Sequence, residues 1–205
     1  MLTRSVKVSN VNAPIIADAA RLIQTGELVA FPTETVYGLG ANGLDPDACK
    51  KIFAVKGRPS DKPLSLHVSS VEMIDGIACI TPIAERLIKT FLPGPLTLIL
   101  KKKSLVPDEV TRGLSTVGIR MPDNDIALAL IDAAGVPIAA PSANLSGHRS
   151  PTTAQEVLNE LDGRIPLILD GGACRLGISS TIVDVATGKI LRAGSITVEM
   201  LENIF

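Results

Sequence analysis

Helical and extended signals alternate along the whole of this chain, and neither kind runs long before glycine or proline interrupts it. Ile15, Ile16, Ala19, Leu22 and Ile23 recur at helical spacing, and Gly26 follows where a C-capping glycine belongs. Residues 28–31 then read as a short buried strand closed by Pro32. Asp45 before Pro46 combines an N-cap with a proline in the first turn, opening a helix that reaches about Val55. Further helices are expected from Pro82 to about Phe91, across 126–134 behind an Asp123 or Asn124 cap, across 153–161, and from Val198 towards Phe205. Strands are expected at 64–68, 96–100, 117–120, 136–140, 167–169, 181–185 and 190–192. The helix over 126–134 is nearly all apolar and is expected to be buried. Such alternation predicts an α/β fold with helices packed on a sheet. The short link 186–189 predicts a hairpin between the last two strands, so the sheet is expected to be mixed. With no internal repeat and no low-complexity linker, residues 1–205 read as one domain.

Hydrophobic residues make up 46 % of the chain, enough for a sizeable core. With four Phe, one Tyr and no Trp, that core must be aliphatic, and stacking platforms for single-stranded nucleic acid are argued against. With a formal net charge of −1, a whole-molecule electrostatic grip on nucleic acid is not expected, and a local patch stays open. Cys49, Cys79 and Cys174 are widely separated, and the two His residues do not complete a zinc set. A reduced, cytoplasmic compartment is therefore expected. The N-terminus lacks the apolar stretch of a signal peptide, and no apolar run approaches the ~20 residues of a membrane span. A soluble protein with no membrane partner is expected.

Four polar stretches stand out. The first, Pro32 to Gly43, carries Gly38, Gly40 and Gly43 at the G-x-G-x-x-G spacing of a dinucleotide site. The context argues against that use, because Pro32 to Tyr37 separate the strand from the first glycine and the helix begins only at Pro46. The second places Lys56, Arg58 and Lys62 close together, opposed only by Asp61 and stiffened by Pro59 and Pro63. It is either a solvated charged loop or a preorganised anion clamp. The third, 139–147, offers Ser142 and Asn144 among small residues, as an ordinary polar turn or as neutral donors to a ligand. The fourth, 170–181, is a glycine-rich loop that says little alone. His67 reads as a core histidine close to the clamp, Cys174 as a free thiol, and Lys101, Lys102 and Lys103 as a solvated loop with tRNA contact as the alternative. No acid–base pair or catalytic triad is visible, which suits nucleotidyl transfer, where positioning and charge stabilisation dominate.

Taken in order, these pieces resemble the YrdC-like family, the threonylcarbamoyl-AMP synthases. The resemblance runs from about Leu28 to Gly194. It rests on Pro32-Thr-Glu-Thr-Val-Tyr-Gly-Leu-Gly40, Lys56-Gly-Arg-Pro59, Pro93-Gly-Pro-Leu-Thr97, Val117-Gly-Ile-Arg-Met-Pro122 and Ala140-Pro-Ser-Ala-Asn-Leu-Ser-Gly147. It implies a twisted mixed sheet with flanking helices around a large basic concave cavity. It also implies a reaction in which L-threonine, bicarbonate and ATP give threonylcarbamoyl adenylate and pyrophosphate. A partner tRNA threonylcarbamoyltransferase would use the product. By position, Lys56, Arg58, Ser142 and Asn144 match a catalytic tetrad around the phosphates. With Arg58 and Ser142, the residues Lys62, Thr116, Ser150 and Arg192 match ATP contacts. Thr35, His67, Arg120, Ala140 and Ser180 match threonine contacts, with Arg120 expected on the threonine carboxylate.

The resemblance leaves no resident metal; Mg2+ is expected to arrive with ATP. A carbamate nucleophile needs no general base, consistent with none being visible. Both Lys56 and Arg58 are expected to face solvent in the cavity. Longer family members carry a linker and second domain, whereas this chain stops at Phe205, so any contribution from that linker is expected to be absent or supplied by a partner. Ser179 stands where an acid often precedes the position of Ser180. Two other classes compete: a non-catalytic double-stranded RNA or tRNA binder of the same family, and a carbamoyl-transfer domain like those within hydrogenase-maturation proteins. The paired Lys56/Arg58 and Ser142/Asn144 favour the enzyme over a binder, since RNA binding has no need of a neutral Ser-x-Asn opposite the cations.

Overall fold

The computed structural model describes residues 2–59, 61–202 and 204–205. Strand β1 (Arg4–Lys7) leads into helix α1 (Pro14–Gln24), followed by β2 (Val29–Phe31), β3 (Gly38–Asn42) and α2 (Pro46–Lys56). Next come β4 (Ser65–His67), α3 (Val71–Ile77), α4 (Pro82–Phe91), β5 (Leu96–Lys101), the single turn α5 (Asp108–Thr111) and β6 (Thr116–Arg120). The chain continues through α6 (Asp125–Ala134), β7 (Ile138–Ala139), α7 (Ala154–Leu161), β8 (Leu167–Asp170), β9 (Thr181–Asp184), β10 (Ile190–Arg192) and α8 (Val198–Glu202). Among the described residues, ten strands join one twisted sheet in the order β1-β8-β2-β3-β7-β4-β6-β5-β9-β10. The sheet is mixed, as expected: β4 runs parallel to β6 and β5 to β9, while β2–β3, β3–β7, β5–β6 and β9–β10 are antiparallel.

The helix starts follow from their caps. Asp45 accepts from the backbone N–H groups of Asp47 and Ala48, with Pro46 in the first turn. Asn124, rather than Asp123, caps α6 through Ala127 N–H. Thr153 and Glu156 close a reciprocal capping box at α7. Helix α6 is buried along one stripe only, through Ala127, Leu130, Ile131 and Ala134, so the expectation of a wholly buried helix does not hold. Ile126, Leu128 and Ala129 stay partly exposed on its other side.

The two-residue alternation of the strands divides the core. Val29, Phe31, Leu167 and Leu169 point to one face, where α1 and α6 cover them, while Ala30 and Ile168 point to a second core on the other face. Register carries this division across the sheet. His67 lies opposite Ile138 on β7 and Arg120 on β6, so these side chains share the face that α1 and α6 cover farther along. Leu66, Ile119 and Ala139 point the opposite way into the larger core. The same face is thus roofed by helices at one end and open at the other.

Four elements were not anticipated: β1, β3, α3 and α5. The most consequential is β3, because Gly38 and Gly40 of the would-be dinucleotide motif lie in an antiparallel strand against β2. A Cβ at Gly40 would come within 2.8 Å of both the Phe31 ring and Ile138 Cγ2. Bulky neighbours explain that glycine, and no phosphate loop does. The expected lysine loop also differs. Lys101 ends β5, Lys102 pairs with Asp108 at 2.5 Å, and Lys103 pairs with Asp75 at 3.1 Å.

Candidate active site

The open end of that sheet face forms a cleft of about 170 Å³. Its floor comes from alternate strand residues, Ser65 and His67 on β4 and Arg120 on β6, with Thr97 near the start of β5 and Ser180 just ahead of β9. Gly118 keeps the floor low, since a Cβ there would sit 2.8 Å from Ser65 Oγ. One wall is the turn from Thr33 to Gly38, and another is the Ala140–Ser142 segment, joined by a bridge between Gly38 and Ser142. Arg58 and Arg192 stand at the remaining sides. Among the described residues, the lining thus contains three arginines and no carboxylate.

Each guanidinium is held differently. Arg58 follows Gly57, whose left-handed φ of 57° turns the chain out of α2, and it donates to Pro63 O at 3.0 Å. Its Nε is buried without a partner among the described residues. Arg192 donates through Nε and Nη2 to the carbonyl and hydroxyl of Ser180, both at 2.9 Å. The Ser180 hydroxyl also meets Thr97 Oγ1 at 2.8 Å. Arg120 is buried beneath the cleft, its Nη2 donating to Glu34 Oε2 at 2.8 Å and Thr35 Oγ1 at 2.7 Å. Burial lowers the pKa of all three, and Arg120 and Arg58 lower that of Arg192 further by repulsion. A cluster of mutually repelling cations is a site prepared for an anion. Burial, helped by Arg120, holds His67 well below the ordinary imidazole pKa, so it is neutral. Its Nδ1 is buried with no protein partner, while the ring packs edge-on against Phe31.

A family profile spanning Sua5, YciO and YrdC, described as "Telomere recombination", matches residues 21–194. The chain belongs to this family. Within it, the threonylcarbamoyl-AMP synthase of Bacillus subtilis (strain 168) is 52 % identical over 197 residues, covering 94 % of this chain and 57 % of that protein. The threonylcarbamoyl-AMP synthase of Pyrococcus abyssi (strain GE5 / Orsay) is 51 % identical over 189 residues, covering 91 % of this chain and 56 % of that protein. A solved structure of P. abyssi Sua5 complexed with L-threonine superposes with a TM-score of 0.93 at 47 % identity, over 100 % of this chain and 61 % of that one. The chain therefore spans a little over half the length of these two synthases.

In this Sua5–YciO–YrdC domain the proposed tetrad divides in two. Arg58 and Ser142 line the cleft. Lys56 does not face solvent there, contrary to expectation; it is 3 % exposed, and its Nζ donates to Ser142 O and Asn144 O, each at 2.5 Å. The cause is the end of α2, where Lys56 points into the domain and the chain reverses only at Gly57. Asn144 is likewise absent from the lining, and its Nδ2 holds the carbonyls of Leu145 and His148 at 2.7 and 3.0 Å. These two residues build the wall that presents Ser142. Of the proposed threonine contacts, His67, Arg120, Ala140 and Ser180 line the cleft, while Thr35 lies behind Arg120. Of the proposed ATP contacts, Arg192 lines it; Lys62 and Thr116 do not, and Ser150 borders a separate groove beside Glu156. Reasoning from the sequence missed Glu34, Thr33 and Tyr37. An acid between two threonines in an otherwise apolar run was the available signal for Glu34.

Proposed function

We propose that this chain carries the adenylating site of a threonylcarbamoyl-AMP synthase, converting L-threonine, bicarbonate and ATP into threonylcarbamoyl adenylate and pyrophosphate. The observation that carries it is the lining itself: three arginines and several hydroxyls around a neutral histidine, with no carboxylate. Such a lining suits the carboxylate of an amino acid at one end and phosphates at the other. The names of the relatives and the threonine-bound P. abyssi structure supply the chemical class.

In the proposed reaction, the threonine carboxylate meets Arg120 and the amino end lies near His67 and Ala140. The amine nitrogen bonds to bicarbonate-derived carbon dioxide to form a carbamate, with water from the bicarbonate and the proton lost from the amine both passing to solvent. A carbamate oxygen attacks the α-phosphorus of ATP, the bond to the bridging oxygen breaks, and pyrophosphate leaves with the electron pair. Arg58 and Arg192 offset the charge gathering on the phosphates, which is where preorganised cations do most for the rate. Ser142 donates from the wall that Lys56 and Asn144 secure. The cleft volume fits an amino acid better than a whole nucleotide, so ATP extends through the mouth. The assignment of Lys62, Thr116 and Ser150 to ATP rests on the resemblance alone. The lining offers Mg2+ no carboxylate, and Glu34 is committed to Arg120. Any Mg2+ would therefore travel on the phosphates as part of the substrate. A tRNA threonylcarbamoyltransferase is the proposed consumer of the adenylate.

Pyrophosphate release from ATP, measured with and without L-threonine and bicarbonate, tests this. Release that requires both is expected; release indifferent to either would remove the synthase reading. The RNA-binding alternative gains nothing from the lysine run, where Lys102 and Lys103 pair with Asp108 and Asp75. No described helix is long and apolar enough to cross a membrane.

A further inference from the structure

Among the described residues Glu34 is the only buried acid, and it stands inside the arginine cluster without lining the cleft. Its ion pair with Arg120 is almost wholly enclosed, the two side chains being 1 % and 6 % exposed. The contact is lopsided. Arg120 reaches Glu34, Thr35 and, at 3.5 Å, Thr33 through the same nitrogen, Nη2. Arg and carboxylate closing on each other usually form two parallel bonds. Here Glu34 Oε1 and Arg120 Nε are both buried with no partner among the described residues. The guanidinium is held by one corner, and its other N–H groups are not spent on Glu34.

Charge points the same way. Arg120 depresses Arg192 and His67 by repulsion, so its field reaches both ends of the cleft. The Glu34 carboxylate on Arg120 opposes that field, leaving Arg58 and Arg192 as the end with no buried counter-charge among the described residues. Asp61, beside Arg58, is exposed and screened by water.

We propose that Glu34 is a positioning residue acting through Arg120. It orients the guanidinium towards the carboxylate of an amino-acid substrate and confines the net positive charge to the Arg58–Arg192 end, where phosphates bind. The ligand identities rest on the function proposed above. Calorimetric titration of the whole chain with L-threonine, and separately with pyrophosphate, tests the idea. Glu34→Gln keeps the shape and an acceptor while removing the charge. L-threonine affinity is expected to fall about tenfold, while pyrophosphate affinity rises about three- to tenfold, the rise shrinking in high salt. Glu34→Asp keeps the charge and withdraws it by one methylene, so pyrophosphate affinity should match wild type while L-threonine binding weakens. In the charge-balanced Glu34→Gln/Arg120→Met variant, pyrophosphate affinity should return to the wild-type value and L-threonine binding should stay weak.

Parallel loss of both ligands in Glu34→Gln, tracking a lower melting temperature, would reduce Glu34 to a structural part and overturn the proposal. So would unchanged affinity for both. Should Glu34→Gln not fold, Glu34→Asp decides, because it keeps Arg120 in place, and L-threonine affinity equal to wild type there overturns the proposal. A wild-type chain that takes pyrophosphate but not L-threonine would remove the amino-acid assignment, and the pyrophosphate arm would still judge Glu34.

Discussion

Burying an ammonium group is tolerable only when its donors are used, and Lys56 spends two of them on the carbonyls of Ser142 and Asn144. Burial first, then Arg58, pulls its pKa from 10.5 down to about 8, against an opposing pull from Glu160. The folded value lies below the unfolded one, so the unfolded chain binds more protons between them. The penalty of burying the charge therefore fades as pH rises from about 8 towards 10.5. The electrostatic help Lys56 gives to an anion in the cleft fades over the lower part of that range. The ratio of pyrophosphate affinities, wild type over Lys56→Met, is expected to fall about two- to fivefold from pH 7 to 9, read by calorimetry at constant ionic strength. A constant ratio would place Lys56 too far from the anion. Lys56→Met also strands two wall carbonyls, and urea unfolding should show a loss of about 1–3 kcal/mol. Arg58→Ala should abolish pyrophosphate release while changing stability by no more than about 0.5 kcal/mol. The expectation that both side chains face solvent in the cavity implies that neither substitution disturbs the fold. Only the arginine keeps that expectation, because only its side chain lines the cleft.

Among the elements, those with local punctuation were legible. Asp45-Pro46, Asn124 and Thr153 each announced a helix that the fold contains, since a cap satisfies orphan N–H groups within a few residues of itself. β3 was not legible, because glycine signals a turn unless the neighbours are known. Here the neighbour is the Phe31 ring, which takes the volume a side chain would need. Gly40→Ala is expected to destabilise by about 1–3 kcal/mol through overpacking, visible as a lower denaturant midpoint with an unchanged slope. Thr153→Ala should cost about 1 kcal/mol by opening the capping box of α7, with no effect on ligand binding. A loss of binding in that variant would tie α7 to the site more tightly than the contacts suggest.

At the scale of the whole molecule, the cleft exists because helices α1 and α6 roof only one end of a sheet face. A ligand that binds only the folded chain raises its stability in proportion to the logarithm of its concentration. Pyrophosphate at a hundred times its Kd should add about 2.7 kcal/mol to the unfolding free energy. The matching rise in melting temperature should vanish in Arg58→Ala; persistence there would place the anion elsewhere. The sequence by itself determined the alternation of helices and strands, the caps, the aliphatic core and the polar turns, because each is decided by spacing within one or two turns of chain. Of the eighteen residues that line the cleft, the family resemblance had named seven as site residues. Tertiary structure decided which side of the wall each residue occupies. Lys56 and Arg58 are two positions apart, yet one grips carbonyls 86 and 88 residues away and the other lines the cleft. Glu34 meets Arg120 for the same reason. The order of strands in the sheet sets those meetings, and local spacing carries no record of it.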